Sequence, residues 1–264
     1  MTVAFIGGGN MADALIGGML HAGFKPSEID VLEIDRARCE ELAARHSVRA
    51  HPQPGAFLQA SEIIVLAVKP QQIREAIASI KPHLTQPLVL SIAAGVRTQT
   101  ISESLGTDQV VRAMPNMPAL IRAGITAATA LSGVSGADRA DADRILSAVG
   151  TVIWLDDESL LDNVTALSGS GPAYVFYFIE AMQKVALEMG FNEAQARALT
   201  MRTFVGASQL AMQSDESAAA LREKVTSKGG TTAAALASFE GDKVDEAIAR
   251  AVRAAAARAR ELGS

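Results

Sequence analysis

Short apolar runs alternate with helical patterns over the first 155 residues of the chain. Apolar runs of about four to eight residues are typical of strands, and apolar residues recurring every three or four positions are typical of helices. The predicted strands are Val3–Ile6, Ile29–Glu33, Ile63–Ala67, Leu88–Ile92, Val110–Ala113, Ile125–Leu131 and Val152–Leu155. The predicted helices lie near 10–22, 36–45, 71–80 and 138–149. This alternation predicts an α/β fold whose mostly parallel sheet is covered on both faces.

The pattern changes after Asp156, beyond which no strand is predicted. The predicted helices there are 158–167, 172–189, 193–213, 216–225, 231–239 and 243–262. We therefore predict an α/β domain over residues 1–157 and an all-helical domain over residues 158–264. The later helices carry apolar residues on more than one face, as Phe176, Phe178 and Met182 illustrate. A symmetric partner is the usual cover for a second apolar face, so we expect a dimer or a larger homo-oligomer.

Composition narrows the class of protein further. The chain has 264 residues, of which 49% are hydrophobic and 20% charged, so we expect packed domains rather than disorder. Aromatic residues make up only 4% and the net charge is −5, which argues against a nucleic-acid partner. No apolar run approaches the roughly 20 residues of a membrane span, and Met1 leads directly into the first predicted strand. We therefore expect no membrane span, no signal peptide and a cytoplasmic location.

A glycine-rich turn follows the first predicted strand and opens the first predicted helix. Gly7 allows a tight turn, Gly9 lets the backbone approach a pyrophosphate, and Ala12 keeps the helix close to the strand. Free N–H groups at such a helix start bind phosphates. The position of the turn favours a dinucleotide site over an ordinary glycine-rich turn. The candidate contacts are Gly7, Gly8, Gly9, Asn10, Met11 and Ala12.

The end of the second predicted strand is where such folds read the adenosine ribose. A carboxylate at Glu33 would bind both ribose hydroxyls and repel a 2′-phosphate, which favours NAD. Arg36 or Arg38 could instead bind a 2′-phosphate, so NADP(H) and NAD(H) both stay open. The alternative is an exposed helix cap without a ligand.

Two further loops follow predicted strands at the edge where open α/β sheets bind ligands. The alternative interpretation of each is an ordinary connecting loop. The residues of these loops that we assign to the cofactor are Ala67, Val68, Lys69, Pro70, Ala93, Ala94 and Gly95.

Two motifs in the helical region carry small and hydroxyl side chains. One reads Leu167-Ser168-Gly169-Ser170-Gly171-Pro172-Ala173, and the other reads Thr226-Ser227-Lys228-Gly229-Gly230-Thr231-Thr232. The second interrupts two predicted helices, and the helix that follows it offers N–H groups to a carboxylate. A threonine-capped corner between helices is the alternative.

The order of these motifs, together with Val111–Pro118, closely resembles the pyrroline-5-carboxylate reductase family over essentially the whole chain. The resemblance implies a Rossmann domain, a helical dimerisation domain, an active site shared across the dimer, and oligomers that are often decamers. It also implies reduction of 1-pyrroline-5-carboxylate to L-proline. The substrate-binding candidates are Glu158, Thr165, Lys224, Ser227, Gly230, Thr231 and Thr232. Glu158 and Lys224 could equally be surface charges, and Pro54 stands where the family commonly has an asparagine near the ribose.

The implied imine reduction needs few acid–base groups from the protein. An imine nitrogen is basic and can arrive protonated, so positioning matters more than a strong acid. The four histidines are scattered outside the substrate motifs, and no metal-ligand cluster is present in the sequence. Thr232 is the candidate catalytic residue, with its hydroxyl on the ring nitrogen.

Two alternatives remain at this point. A β-hydroxyacid dehydrogenase would need a lysine early in the first long helix after residue 157, where none occurs before Lys184. A non-catalytic NAD(P)-binding redox sensor would have no need for the motif that ends in Thr231-Thr232.

Overall fold

The computed structural model describes residues 1–262, and its N-terminal part is built on one eight-stranded sheet. The spatial order of the strands is β3-β2-β1-β4-β5-β6-β7-β8, and every neighbouring pair is parallel except β6 and β7. The strands are β1 Val3–Ile6, β2 Ile29–Leu32, β3 Arg49–His51, β4 Ile63–Leu66, β5 Leu88–Ser91, β6 Val110–Met114, β7 Gly124–Ala130 and β8 Gly150–Trp154. The helices of this part are α1 Asn10–His21, α2 Arg36–His46, α3 Ile73–Ile80, α4 Thr98–Leu105, α5 Gly136–Ser147 and α6 Leu160–Val164.

The central strands are apolar on both faces because helices cover both faces. In β1, Val3 and Phe5 belong to one buried cluster, whereas Ala4 and Ile6 belong to another. Successive side chains of a strand point to opposite faces, so these two clusters lie on opposite sides of the sheet. The predicted α/β fold with a mostly parallel, doubly covered sheet is confirmed.

Two short elements were not predicted. Strand β3 contains Arg49, Ala50 and His51, which offer no apolar run, and it is the edge strand of the sheet. Helix α4 is only eight residues long, with Thr98 and Ile101 buried. The antiparallel pairing of β6 with β7 follows from their short connection, which holds a 3₁₀ turn over Met117–Ile121 and no crossover helix.

The predicted helix over 158–167 is also divided. Helix α6 ends at Val164, and a single π-helical turn covers Thr165–Gly169. Single π-helical turns are rare in proteins, and those that occur are frequently found at functional sites.

The chain forms two compact units, which we describe separately. One comprises Met1–Ser170 with the end of the last helix from Ala255, and the other comprises Gly171–Ala254. The helices after Ser170 are α7 Gly171–Glu188, α8 Glu193–Gln213, α9 Ala218–Lys224, α10 Thr231–Gly241 and α11 Val244–Leu262. This division falls later than residue 157, because residues 158–170 pack on the sheet and Glu158 is ion-paired to Arg112 of β6.

The helical unit leaves much of its apolar surface uncovered in a single chain. Within Gly171–Ala254, a range described throughout, only Ala196 and Thr200 are buried. Phe176, Tyr177 and Phe178 of α7 are all exposed, with Tyr177 at 71%. None of the helices within residues 1–262 is both long enough and apolar enough to span a bilayer.

Candidate active site

The glycine turn after β1 uses its three glycines in different ways. Gly7 has φ +98°, a left-handed conformation that favours glycine, and a Cβ there would lie 2.9 Å from the carbonyl oxygen of Ala67. A Cβ on Gly8 would lie 2.5 Å from Cδ1 of Leu42. A Cβ on Gly9, by contrast, would have no atom within 4 Å. Gly7 and Gly8 are therefore needed by the fold itself, whereas Gly9 borders open space.

The start of helix α1 is free to bind an anion. Gly9 occupies the N-cap position and has no side chain to satisfy the first N–H groups. Within residues 1–262, the backbone N–H groups of Asn10, Met11 and Ala12 have no hydrogen-bond partner. Ala12 is fully buried, so α1 lies close to the sheet. Uncapped N–H groups and the helix dipole together suit a phosphate.

A cavity of about 500 Å³ opens beside this turn. It is the size expected of a small-molecule or cofactor site. The cavity brings together several predicted cofactor contacts with residues of α3 and of the loop after β3. Its lining residues include Gly7, Gly9, Glu33, Ile34, Pro54, Ala67, Val68, Lys69 and Gln72. Pro54, the departure from the family pattern, therefore lies on the cavity wall.

Glu33 and Arg38 both bind the glycine turn. The Glu33 carboxylate accepts hydrogen bonds from the N–H groups of Gly8, at 2.8 Å, and Asp35, at 2.9 Å. Nε of Arg38 donates to the carbonyl oxygen of Gly8 at 2.7 Å. The Arg36 side chain is exposed and makes no hydrogen bond or ion pair within the described residues. Of the two arginines considered for a 2′-phosphate, only Arg36 is therefore free to bind one.

The remaining predicted cofactor loop follows β5. Ala93 is buried and Ala94 half-buried, and Gly95 has φ +77°. These residues lead into Arg97, the N-cap residue of α4. They lie outside the cavity beside the glycine turn, and their contact with the cofactor stays a prediction.

A cluster of charged residues joins the start of α4 to β6 and α6. Oε1 of Glu158 accepts from the N–H of Thr98 and from Nη1 of Arg112, both at 2.9 Å, and Oε2 accepts from the Thr98 hydroxyl at 2.6 Å. Asp162 binds Arg97 at 3.0 Å and Arg112 at 3.4 Å. Arg112 and Asp162 are each only 2% exposed. Buried charges of this kind are stable only when they are paired, as these are.

The surroundings of Glu158 favour its charged form. Burial raises its pKa, but the hydrogen bonds from Thr98 and the charge of Arg112 outweigh burial and lower the pKa below its ordinary 4.5. Sequence reasoning assigned this residue to the substrate pocket. Its carboxylate makes three contacts within the protein that hold α4 and β6 together, and a substrate role stays a prediction.

Arg112 and Asn116 lie in the motif Val111–Pro118, but sequence reasoning gave neither residue a role of its own. Asn116 donates from Nδ2 to the carbonyl oxygen of Ser168 at 3.1 Å and accepts from the N–H of Ile125 at 3.0 Å. It thereby fixes the π-helical turn, in which the Thr165 hydroxyl donates to the Leu161 carbonyl at 2.9 Å. The sequence does carry a signal for Arg112, which is an arginine inside an apolar strand. A charged residue buried in this way requires buried partners.

The predicted substrate motif forms a tight turn before α10. Gly229 has φ +72°, and the Gly230 N–H donates to the Ser227 carbonyl at 3.0 Å. A Cβ on Gly230 would collide with the Ser227 hydroxyl. Gly230 is the N-cap of α10 and provides no capping side chain. Within the described residues, the N–H groups of Thr231 and Thr232 have no partner, so this helix also begins with free donors.

Lys224, another predicted substrate residue, also has a paired side chain. Its Nζ lies 2.6 Å from Oε2 of Glu216, and both side chains are well exposed. Exposed pairs of this kind contribute about 0–1 kcal/mol to stability, so the pairing does not prevent a role of Lys224 in binding.

Residues 1–262 contain no group of three or more histidine, cysteine or acidic side chains that could hold a metal ion.

The fold and the glycine turn define a class of protein. The protein combines a mostly parallel, doubly covered sheet with a tight Gly7 turn and an uncapped α1. This combination is typical of a Rossmann dinucleotide-dependent oxidoreductase. Residues 2–95 match a family model described as NADP oxidoreductase coenzyme F420-dependent. Residues 158–262 match the model for pyrroline-5-carboxylate reductase dimerisation.

Full-length relatives identify the family within this class. A pyrroline-5-carboxylate reductase of Pseudomonas aeruginosa is 38% identical, covering 98% of this chain and 96% of the relative. One from Synechocystis is 40% identical, covering 99% and 98%. The chain therefore belongs to the pyrroline-5-carboxylate reductase family. It is an NAD(P)-dependent oxidoreductase that reduces the C=N bond of 1-pyrroline-5-carboxylate to give L-proline, the last step of proline biosynthesis.

Solved structures agree with this assignment. A pyrroline-5-carboxylate reductase from Coxiella burnetii matches with a TM-score of 0.93 at 37% identity, covering 100% of this chain and 98% of that one. The Plasmodium falciparum enzyme, solved with NADP bound, matches with a TM-score of 0.90 at 27% identity and the same coverage. The predicted family, fold and reaction are confirmed, and the dehydrogenase and sensor alternatives are not supported.

Proposed function

We propose that the free N-terminus of α10 binds the substrate carboxylate and that Thr232 positions the substrate ring nitrogen. The observation that carries this proposal is the pair of unpartnered N–H groups on Thr231 and Thr232 behind a glycine N-cap. A helix N-terminus carries about half a positive charge, which favours a carboxylate. Gly229 and Gly230 present no side chain, so a small ring can approach the backbone closely.

We assign the dinucleotide to the glycine turn and the cavity beside it. The N–H groups of Asn10, Met11 and Ala12 bind the pyrophosphate, and the residues after β5 adjoin the nicotinamide. When bound, the reduced nicotinamide supplies the hydride that adds to the C=N carbon. The chain itself orients the imine, excludes water and hydrogen-bonds the ring nitrogen through Thr232 Oγ1, so no strong acid is required.

For the cofactor we propose NADPH in preference to NADH. Arg36 is free to pair with a 2′-phosphate, because it is exposed and has no partner within residues 1–262. The Glu33 carboxylate, which favoured NAD in sequence reasoning, already accepts two backbone N–H groups of the protein. The name of the matched NADP oxidoreductase model and the NADP in the Plasmodium falciparum structure also support this choice.

We further propose that a homodimer is the minimum unit, that dimers assemble into a decamer, and that the enzyme works in the cytoplasm. The exposed apolar side chains of α7 support self-association, because such surfaces seldom face water in a stable protein.

We keep residue 157 as the functional boundary between the cofactor and dimerisation domains. The dimerisation model begins at residue 158, which supports that choice.

Replacing Thr232 by valine tests the proposed substrate site. Valine keeps the shape but removes the hydroxyl, so kcat/KM for 1-pyrroline-5-carboxylate falls about 10- to 100-fold, the value of one hydrogen bond to a charged group. The KM for NADPH stays unchanged. Thr226→Val is the matched control, since that hydroxyl donates to the Arg222 carbonyl of the protein at 2.6 Å. If the Thr232 variant and the control have equal kcat/KM, the Thr232 hydroxyl does not bind the substrate and the proposed role is wrong.

A further inference from the structure

Both peptides that flank Gly8 are held by side chains from the second βα unit. The Gly8 N–H belongs to the Gly7–Gly8 peptide and donates to Oε2 of Glu33 at 2.8 Å. The Gly8 carbonyl belongs to the Gly8–Gly9 peptide and accepts from Nε of Arg38 at 2.7 Å. Glycines have the widest backbone freedom, so a peptide between two of them reorients most easily. These two contacts remove that freedom from the turn.

Arg38 is well suited to hold a peptide, because all three nitrogens of its guanidinium are used. Besides Gly8, it binds Asp13 of α1 through Nη2 at 2.9 Å and Glu41 of α2 through Nη1 at 2.6 Å. Its side chain is 19% exposed. A guanidinium is rigid and planar, so three fixed contacts leave it one orientation. Arg38 therefore helps to fix the conformation of the glycine turn.

We propose that Arg38 is a positioning residue for dinucleotide binding, acting through the Gly8–Gly9 peptide. A peptide is planar and trans, so its carbonyl and its N–H point in opposite directions. By holding the Gly8 carbonyl, Arg38 aims the Gly9 N–H away from its own guanidinium. An N–H group aimed before the ligand arrives binds a phosphate without loss of backbone entropy on binding. The inference rests on the proposed phosphate-binding role of this turn.

Arg45 provides a matched comparison within the same network. Its Nη1 lies 2.6 Å from Oδ2 of Asp13 and its Nη2 lies 2.7 Å from Oε1 of Glu41. Arg45 thus shares both carboxylate partners of Arg38 but makes no hydrogen bond to Gly8. The difference between Arg38→Met and Arg45→Met isolates the contact with the turn from the ion pairs.

The experiment measures the Kd of NADPH by fluorescence titration and the Tm of each variant. We expect Arg38→Met to raise the Kd roughly tenfold or more, since a charge-assisted hydrogen bond that aims the site is lost. The KM for NADPH rises with the Kd, while the KM for 1-pyrroline-5-carboxylate does not. Arg45→Met keeps the Kd within about twofold, even where its Tm falls as far as that of Arg38→Met.

The outcomes separate this inference from the proposed site. If Arg38→Met and Arg45→Met have the same NADPH Kd while Gly9→Val loses binding, the turn binds the cofactor but Arg38 does not position it. If Gly9→Val also keeps the wild-type Kd, the assignment of the phosphate site itself fails. Should Arg38→Met not fold, Arg38→Gln gives the same comparison, because glutamine cannot make all three contacts.

Discussion

Replacing Gly9 by valine tests the phosphate site directly, because the protein leaves room for the new side chain. Gly9 has φ −67° and ψ −178°, an extended conformation that valine adopts readily. An added Cβ meets no protein atom within 4 Å. The side chain therefore projects into the space in front of α1, where we place the pyrophosphate. The variant should fold normally and bind the cofactor more weakly.

The expected magnitude follows from the hydrogen bonds that the phosphate would lose. A hydrogen bond to a charged group contributes about 1.5–3 kcal/mol, so the loss of one raises the Kd of NADPH about 10- to 150-fold. Fluorescence titration of purified protein measures this Kd, and thermal unfolding measures the Tm. We expect the Kd to rise by at least the lower figure while the Tm changes by no more than a few degrees.

Two other glycines serve as controls. Gly136 is the first residue of α5, and a Cβ there also meets no atom within 4 Å, so Gly136→Val should change neither Kd nor Tm strongly. Gly8→Val should lower the Tm, because its Cβ would press on Leu42. A wild-type Kd in a folded Gly9→Val variant would refute the phosphate-site assignment.

Two further predictions concern stability and assembly. The lowered pKa of Glu158 means that its ion pair stabilises the folded state above the ordinary pKa of 4.5, and this contribution is lost as pH falls through the folded-state value. Glu158→Gln should therefore be less stable by about 2 kcal/mol in urea unfolding at pH 7 and lose less stability toward pH 3, whereas identical curves would exclude the pair as a stabilising contact. Light scattering should give at least twice the single-chain mass of 27.6 kDa, and a concentration-independent single-chain mass with full activity would contradict the proposed dimer.

The parts of the fold that sequence predicts are those with strong local patterns. Strand β1 and the glycine turn lie within ten residues of each other and need no distant contact to be recognised. Strand β3 could not be found, because Arg49 and His51 are polar. Their partner is Asp30 of β2, which Arg49 binds at 2.8 and 2.6 Å and His51 at 2.7 Å. Such pairing depends on the folded sheet.

The same limit applies to the charged residues of the site. Sequence reasoning considered Glu33, Arg38 and Glu158 as ligand contacts, and these roles stay predictions. Their partners within the protein lie 25, 30 and 46 to 60 residues away in sequence. Sequence alone does not distinguish a carboxylate that is free to bind a ligand from one that accepts a backbone N–H of the protein. Only the folded arrangement assigns Glu33 and Arg38 to the glycine turn and leaves Arg36 free.

The central claim is that this chain reduces 1-pyrroline-5-carboxylate with a nicotinamide dinucleotide bound at the first glycine turn. The most direct measurement is the initial rate of NADPH oxidation by the purified chain with 1-pyrroline-5-carboxylate, followed by identification of the product, with NADH compared in parallel. We predict stoichiometric L-proline formation, a higher kcat/KM with NADPH than with NADH, and loss of NADPH saturation in Gly9→Val. An absence of L-proline with either cofactor from folded protein, or unchanged saturation in Gly9→Val, would contradict the account.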